Sequence, residues 1–477
     1  MTAKDRMLDG TVQHSSVLIN HCLLLLFSVA LTRRFLMKKL LAIMAMVSFT
    51  AHGATIAVID SGTDLLHKEL YDKAWINEGE IEANDRDDDY NGFQDDINGW
   101  NFAETNNQII DYSYLGTLTF DIRRFFEIQT KSFYGTVTDE ERAWVAEIRK
   151  NEEFIKQIGI YGNFMHGTHV AGITAKDSDL AKIMAVKIIP TEVKLPFKAQ
   201  KAGPGLFLLK QGLKLLASQQ MVMLTNVARY VDGHKVDVAN GSFGTGYPQA
   251  KMIVETLAKT IMRKEPPTEE QIHELTVEFL NTLIKEGDHM VQAAEDTLFV
   301  FAAGNDGLNN DEFPTSPTNI QADNVISVAA ALEFNKLASF SNYGASMVDV
   351  AAPGVGIDST VPGNKYLQVS GTSQAAPYVA NIAGQVKDAN SELAPRDIKK
   401  IILGTVDIRE WLVGKVKTSG TVNTARAVRA AELSRSMNVD LAIRNSITDV
   451  QDIPSTDTKS NVKSEGVVLP LPSMFKL

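Results

Sequence analysis

The chain has 477 residues, 44% hydrophobic and 22% charged, with a formal net charge of −11 at pH 7. That is the composition of a soluble globular protein, long enough for one large core or two ordinary ones. The acidic balance argues against a nucleic-acid partner, since neutralising phosphates needs clustered Lys and Arg.

Residues 17–31 and 40–51 are apolar runs, both shorter than the roughly 18–20 residues that span a bilayer. The second follows Met37-Lys38-Lys39 and ends in Ala51-His52-Gly53. A charged start, an apolar centre and a small-x-small cleavage site make a secretory signal. Met37 reads as the initiator and residues 1–53 as a leader removed on export, so the expected location is secreted or periplasmic, with membrane contact only in transit. The leader carries six basic and two acidic side chains, leaving −15 on the remainder, and it holds Cys22, the one cysteine of the sequence. The mature protein can form no disulfide.

Short unbroken apolar runs follow at residues 55–59, 183–189, 236–239, 298–302, 325–330 and 348–351. Unbroken runs suit strands covered on both faces, as in a parallel sheet. Stretches of helical spacing alternate with them at 206–230, 269–294 and 377–386. The expected fold is α/β, a mostly parallel sheet with helices on both faces. In such sheets ligands bind beyond the carboxyl ends of the strands, where Asp60, Ser242 and Asn305 fall. Residues 104–164 read as a charged, partly helical insertion with little core of its own, its clearest amphipathic piece at 141–158. Residues 436–477 read as a polar, flexible tail.

Four Gly-rich segments carry chemistry: Asp60-Ser61-Gly62, His166-Gly167-Thr168-His169-Val170-Ala171-Gly172, Ala302-Ala303-Gly304-Asn305, and Ser370-Gly371-Thr372-Ser373-Gln374-Ala375-Ala376-Pro377. Each alone has an ordinary reading as a turn, a helix cap or a structural histidine. Pro377 limits the helix that precedes it, so Ser373 belongs near a helix N-terminus, where the dipole favours negative charge. The small residues after His166 suggest a helix start pressed against another element. Together they supply a nucleophile, a base, a group to orient the base, and an amide for the oxyanion.

The order Asp, His, Asn, Ser, with HGTHVAG and GTSQAAP intact, resembles the subtilisin-like serine peptidases (the subtilases) over residues 55–432. The resemblance implies a peptidase domain at 54–435, with Asp60, His166 and Ser373 as triad and Asn305 with the Ser373 backbone N–H as oxyanion hole. It implies endopeptidase activity on protein or peptide substrates, by a monomer needing no cofactor for catalysis. Ser242, Phe243 and Gly244 would pair with the substrate backbone and wall one side of its main pocket, which takes the residue before the cut. Ala302, Ala303 and Gly304 would wall the other, with Asp306 as a negative charge at the rim. His67 and His169 are then structural. Gln374 departs from the family's usual Met after the nucleophile, adding an amide that needs a partner. Asp60 and His166 lie 106 residues apart because of the insertion. The signal-like segment runs straight into the first strand, leaving no room for a propeptide.

Asp87, Asp89, Asn91 and Asp95 follow the start of an EF-hand-type loop, with Asn98 where a bidentate Glu would stand. Crowded carboxylates repel unless a cation sits among them, so a structural calcium ion is expected. The rival readings are an inactive subtilisin-like binding scaffold, which an intact triad speaks against; an acid-active relative, which His166 and Asn305 speak against; and a metal hydrolase on the two histidines, which lacks a third ligand.

Overall fold

The computed structural model describes residues 53–192, 205–262, 266–455 and 468–473; leader residues 1–52, with Cys22, lie outside the described residues. Along the chain the strands are β1 (Thr55–Asp60), β2 (Gly99–Asn101), β3 (Lys182–Lys187), β4 (Val238–Gly241), β5 (Leu298–Ala302), β6 (Val325–Leu332), β7 (Lys336–Leu337), β8 (Val350–Pro353), β9 (Ile357–Val361), β10 (Lys365–Val369), β11 (Asp407–Ile408) and β12 (Gly420–Thr421). The helices are α1 (Phe120–Tyr134), α2 (Asp139–Ile148), α3 (Glu152–Thr174), α4 (Leu206–Gly233), α5 (Tyr247–Ile261), α6 (Glu269–Gln292), α7 (Thr372–Ala389), α8 (Pro395–Gly404), α9 (Thr424–Ser434) and α10 (Val439–Asp449).

One sheet runs β11-β12-β8-β6-β5-β4-β1-β3-β2, and from β8 to β2 every neighbouring pair is parallel. Its apolar runs are unbroken because both faces are covered. Ile56, Val58, Val300 and Val328 face Val379, Ile382 and Val386 of α7. The alternate residues Ala57, Ile59, Phe299 and Phe301 face Leu213 and Leu224 of α4 and Phe279 of α6. After β1 the chain crosses to the edge strand β2 and comes back to fill β3 between them, then builds β4, β5 and β6 on the other side of β1. The order therefore reverses at β1, and the crevice beyond its carboxyl end is where ligands bind in such sheets. Register aligns the strand ends there, with Ile59 opposite Gly241 and Gly241 opposite Phe301. Among the described residues no helix is long and apolar enough to cross a membrane.

The structure departs from the sequence reading at two places. The insertion does bury a core: Ile122, Phe125 and Phe126 of α1 and Phe154, Ile158 and Tyr161 of α3 pack on Val361, Leu367 and Val369 of the β9–β10 hairpin. Three of that core's twelve buried residues come from the hairpin, some 200 residues away in sequence, so the insertion alone looked too polar. The 141–158 stretch is not one helix, because the Asn151 side chain accepts from Phe154 N–H and starts α3 afresh. The tail is likewise ordered over α10, capped by Asn438, with Ala442, Ile443 and Ser446 buried. Nearby, Arg426 holds Asp407 at 2.8 Å and Asp452 at 2.5 Å.

Candidate active site

Asp60 closes β1 and is fully buried. Its Oδ1 accepts the Ser61 backbone N–H at 2.7 Å and meets His166 Nδ1 at 2.7 Å, while Oδ2 has no partner among the described residues. A carboxylate held this way fixes the imidazole tautomer, Nδ1–H toward Asp60 and the Nε2 lone pair free. Contrary to the sequence expectation, His166 does not begin a helix; it sits two-thirds along α3, which runs on unbroken from the insertion. The expected close packing is present: a Cβ on Gly167 would stand 2.3 Å from the Gly62 carbonyl oxygen and 3.2 Å from Asp60 Cβ. Only Gly lets α3 approach β1 closely enough for the 2.7 Å contact.

Ser373 is the second residue of α7, behind the Gly371 N-cap. Its Oγ donates to the Ser242 carbonyl oxygen at 3.2 Å rather than to His166, and Ser242 Oγ donates to the Ser373 carbonyl oxygen at 3.0 Å. Asn305 is oriented by a neighbour that sequence reasoning passed over. Thr372 donates to Asn305 Oδ1 from both its backbone N–H, at 2.9 Å, and its Oγ1, at 2.8 Å, and Thr372 Oγ1 itself accepts Gly304 N–H at 3.1 Å. With Oδ1 occupied, Nδ2 must point into the cleft. His166, Asn305 and Ser373 all line one cleft of about 280 Å³.

The two structural histidines anchor the β9–β10 hairpin. His67 Nε2 meets the Lys365 carbonyl at 3.2 Å and His169 Nε2 the Leu367 carbonyl at 2.9 Å. The Gln374 amide finds its partner in His169 Nδ1, at 3.5 Å. Burial pushes the His169 imidazole down to about 4, outweighing the bond to Leu367, with His166 adding to the depression. A folded-state value below the unfolded value of about 6.5 means that the unfolded chain binds more protons between them. Stability is complete above about pH 6.5 and is lost as pH falls toward 4. That loss amounts to about 2–3 kcal/mol. His169→Gln keeps a donor for Leu367 and removes the titration. Urea unfolding at pH 7 and 4.5, in a Ser373→Ala background that prevents self-digestion, should show a smaller drop for the variant. Equal drops would mean that other groups carry the acid sensitivity.

The expected substrate walls are only partly as read. Gly244 offers its N–H to the cleft (below), but the Phe243 ring is buried in the core edge-on to Phe301, centroids 6.4 Å apart. Ala302 and Ala303 are fully buried, their side chains in core clusters, and neither lines the cleft. Asp306 is not at the cleft rim: its Oδ2 lies 2.7 Å from where a Gly246 Cβ would stand, against the start of α5. Burial pushes its carboxyl above the ordinary range. The acidic loop also differs. Asp95 accepts the Asn84 and Asp85 backbone N–H groups, as Asp87 and Glu80 accept others, but its oxygens and those of Asn91 are not among those that converge. Asp87 and Asp89 instead share a point with Glu80, which the motif did not indicate, their carboxylate oxygens within 4.8 Å of one another.

A sequence model of the Subtilase family matches residues 51–433. Alkaline elastase YaB of Bacillus sp. (strain YaB) is 42% identical over 112 residues, 24% of this chain and 28% of the elastase. The thermophilic serine proteinase of Bacillus sp. (strain AK1) is 49% identical over 87 residues, 18% of this chain and 20% of that one. Subtilisin BL of Lederbergia lenta is 37% identical over 134 residues, 28% of this chain and 46% of the relative. The matched segments thus span less than half the length of each of these relatives. The crystal structure of a lanthipeptide protease superposes with a TM-score of 0.46 at 16% identity, covering 79% of this chain and 89% of that one.

Proposed function

The chain belongs to the Subtilase family, and on that premise we propose that it is a secreted serine endopeptidase with Asp60, His166 and Ser373 as its catalytic triad. The observation that carries this reading is the 2.7 Å Asp60–His166 bond at the sheet end shared with Ser373 and Asn305. For catalysis Ser373 Oγ must leave the Ser242 carbonyl and turn to His166 Nε2, a change between staggered wells. His166 then takes the hydroxyl proton as Oγ attacks the scissile carbonyl, and returns it to the leaving amine. Asp60 stabilises the imidazolium that forms between those steps. Asn305 Nδ2 and the Ser373 backbone N–H face the oxyanion, and the α7 dipole adds to them. A fluorophosphonate tests this: it should label Ser373, and a chain that binds peptides but takes no label would be the inactive scaffold instead.

Export follows from the leader. Ala54 N–H lies 2.6 Å from Asp388 Oδ1, and Thr55 N–H 2.9 Å from Asp237 Oδ2. Cleavage after Gly53 would leave the new ammonium of Ala54 on that carboxylate pair. N-terminal sequencing of the exported protein should begin at Ala54; a start beyond Thr55 would exclude the arrangement.

The Glu80, Asp87 and Asp89 oxygens form a hard, all-oxygen donor set suited to calcium. Calcium at a hundredfold excess over its Kd would stabilise the fold by about 2.7 kcal/mol. The melting temperature should therefore fall in chelator, and Asp89→Ala should abolish the difference. Identical melting with and without calcium in the unaltered protein would mark the loop as a solvated turn.

A further inference from the structure

The active-site cleft is occupied by the chain's own residues 468–473, whose sequence is Val-Leu-Pro-Leu-Pro-Ser. Asn305 Nδ2 donates to the Leu469 carbonyl oxygen at 3.0 Å. Gly244 N–H donates to the Pro472 carbonyl oxygen at 3.0 Å, and Thr245 Oγ1 lies 3.3 Å from Ser473 Oγ. The leucines turn inward while Pro470 between them is exposed. Leu471 is 4% exposed, its Cδ1 3.2 Å from the place of a Gly244 Cβ; Leu469 Cδ1 is 3.1 Å from that of Gly162, on α3.

We propose that residues 468–473 are a built-in inhibitor of the peptidase, bound in the substrate cleft in the direction opposite to a substrate. The proposal rests on the triad reading above. In that reading the segment at 242–244 walls the pocket of the residue before the cut, and so lies along the acyl part of a substrate. Here the carbonyl at Asn305 is that of Leu469, and the residues running along 244–245 are 472 and 473, downstream of it. The part of the peptide that should leave lies where the acyl part should stay. Catalysis is blocked in two further ways. The oxyanion donor of Asn305 is satisfied by a ground-state carbonyl, and Ser373 Oγ is turned to Ser242.

The composition suits this task. Pro470 and Pro472 hold the segment extended at low entropic cost, and the ends it offers to Asn305 and Gly244 are carbonyls, so their missing N–H groups forfeit nothing there. Alternating Leu and Pro seat two apolar side chains on one side. The insertion takes part directly, because Leu469 packs on the α1–α3 core. A cleft that accepts leucines at these two places, with Gly162 and Gly244 making room, is a cleft for apolar extended peptides. A tethered segment acts at an effective concentration of about 1 mM. Even an intrinsic Kd of about 0.1 mM would leave it docked in roughly 90% of molecules, reducing the competent fraction about tenfold.

The test is made on the full chain. Leu469→Asp/Leu471→Asp should raise kcat/KM on a short fluorogenic peptide about tenfold or more, and Leu469→Met/Leu471→Met should restore the low value. Calorimetric melting of each variant separates release from misfolding. A synthetic peptide of residues 466–475 should inhibit the Asp variant competitively and be recovered uncut. Equal activity of a folded Asp variant and the parent would overturn the inference while leaving the peptidase reading intact, as would rapid cleavage of the peptide. If no form turns over substrate or takes a fluorophosphonate, the peptidase reading fails. Fluorescence anisotropy of the labelled peptide on the Asp variant then decides: saturable binding supports occupancy of the cleft by this segment, and its absence overturns it.

Discussion

Ser373→Ala and His166→Ala will each remove about 10⁶-fold of peptidase kcat, with the fold intact. The magnitude is the usual one for a triad acting as a unit: without the hydroxyl there is no acyl-enzyme, and without the imidazole the hydroxyl keeps its proton. The double variant should be little slower than either single one, since the second loss removes help for a step already abolished. Both residues are over 90% buried, but neither change leaves a charge unpaired in a way that should unfold the protein. Ser373→Ala loses one 3.2 Å bond to the Ser242 carbonyl; His166→Ala frees Asp60, which still holds Ser61 N–H. The measurement needs the cleft open, so both are best made in the Leu469→Asp/Leu471→Asp chain. Residual turnover within a hundredfold of the parent by pure Ser373→Ala protein would place the nucleophile elsewhere.

Asn305→Ala will lower kcat by about 10²–10³-fold, the cost of one oxyanion donor. The reason for so large an effect from one amide is preorganisation. Thr372 holds Oδ1 by two bonds, so Nδ2 is aimed before charge develops and nothing has to reorient as it does. Because Nδ2 also holds the Leu469 carbonyl, the same change weakens the docked segment. In the full chain, apparent KM should therefore fall while kcat falls; in the Asp-variant chain, KM should hardly move. Thr372→Val keeps the side-chain shape and removes one of the two bonds that orient the amide, and should give an intermediate loss in kcat. A rise in KM with kcat unchanged would make Asn305 a binding residue rather than a stabiliser of the transition state.

Local chemistry is what the sequence by itself determined. The strand runs are unbroken because both sheet faces are covered, so the strands at Thr55–Asp60 and Leu298–Ala302 are legible as parallel from their residues alone. Asp60, His166, Asn305 and Ser373 each sit in a Gly-rich segment whose backbone needs are local, and their order with the HGTHVAG and GTSQAAP motifs carries the resemblance. His67 and His169, read as structural, bond the Lys365 and Leu367 carbonyls of the hairpin. What only the tertiary structure decided depends on neighbours far along the chain. Nothing near Phe243 says that its ring will pack on Phe301 instead of walling the cleft, because that face is chosen by β4–β5 pairing. Asp306 was assigned to the rim by its place after Asn305, yet Gly246 covers its carboxylate. Glu80 joins Asp87 and Asp89 only because the loop folds back on it. Gln374 looked like an amide without a partner until α3 and α7 brought it to His169. The segment at 468–473 ends a stretch rich in Ser, Asn, Asp, Thr and Lys, so it read as part of a flexible tail. Its meaning comes from Asn305 and Gly244, more than 160 residues away, whose unpaired donors it satisfies. Contacts that distant are set by the packing of the whole sheet and leave no mark in a local pattern.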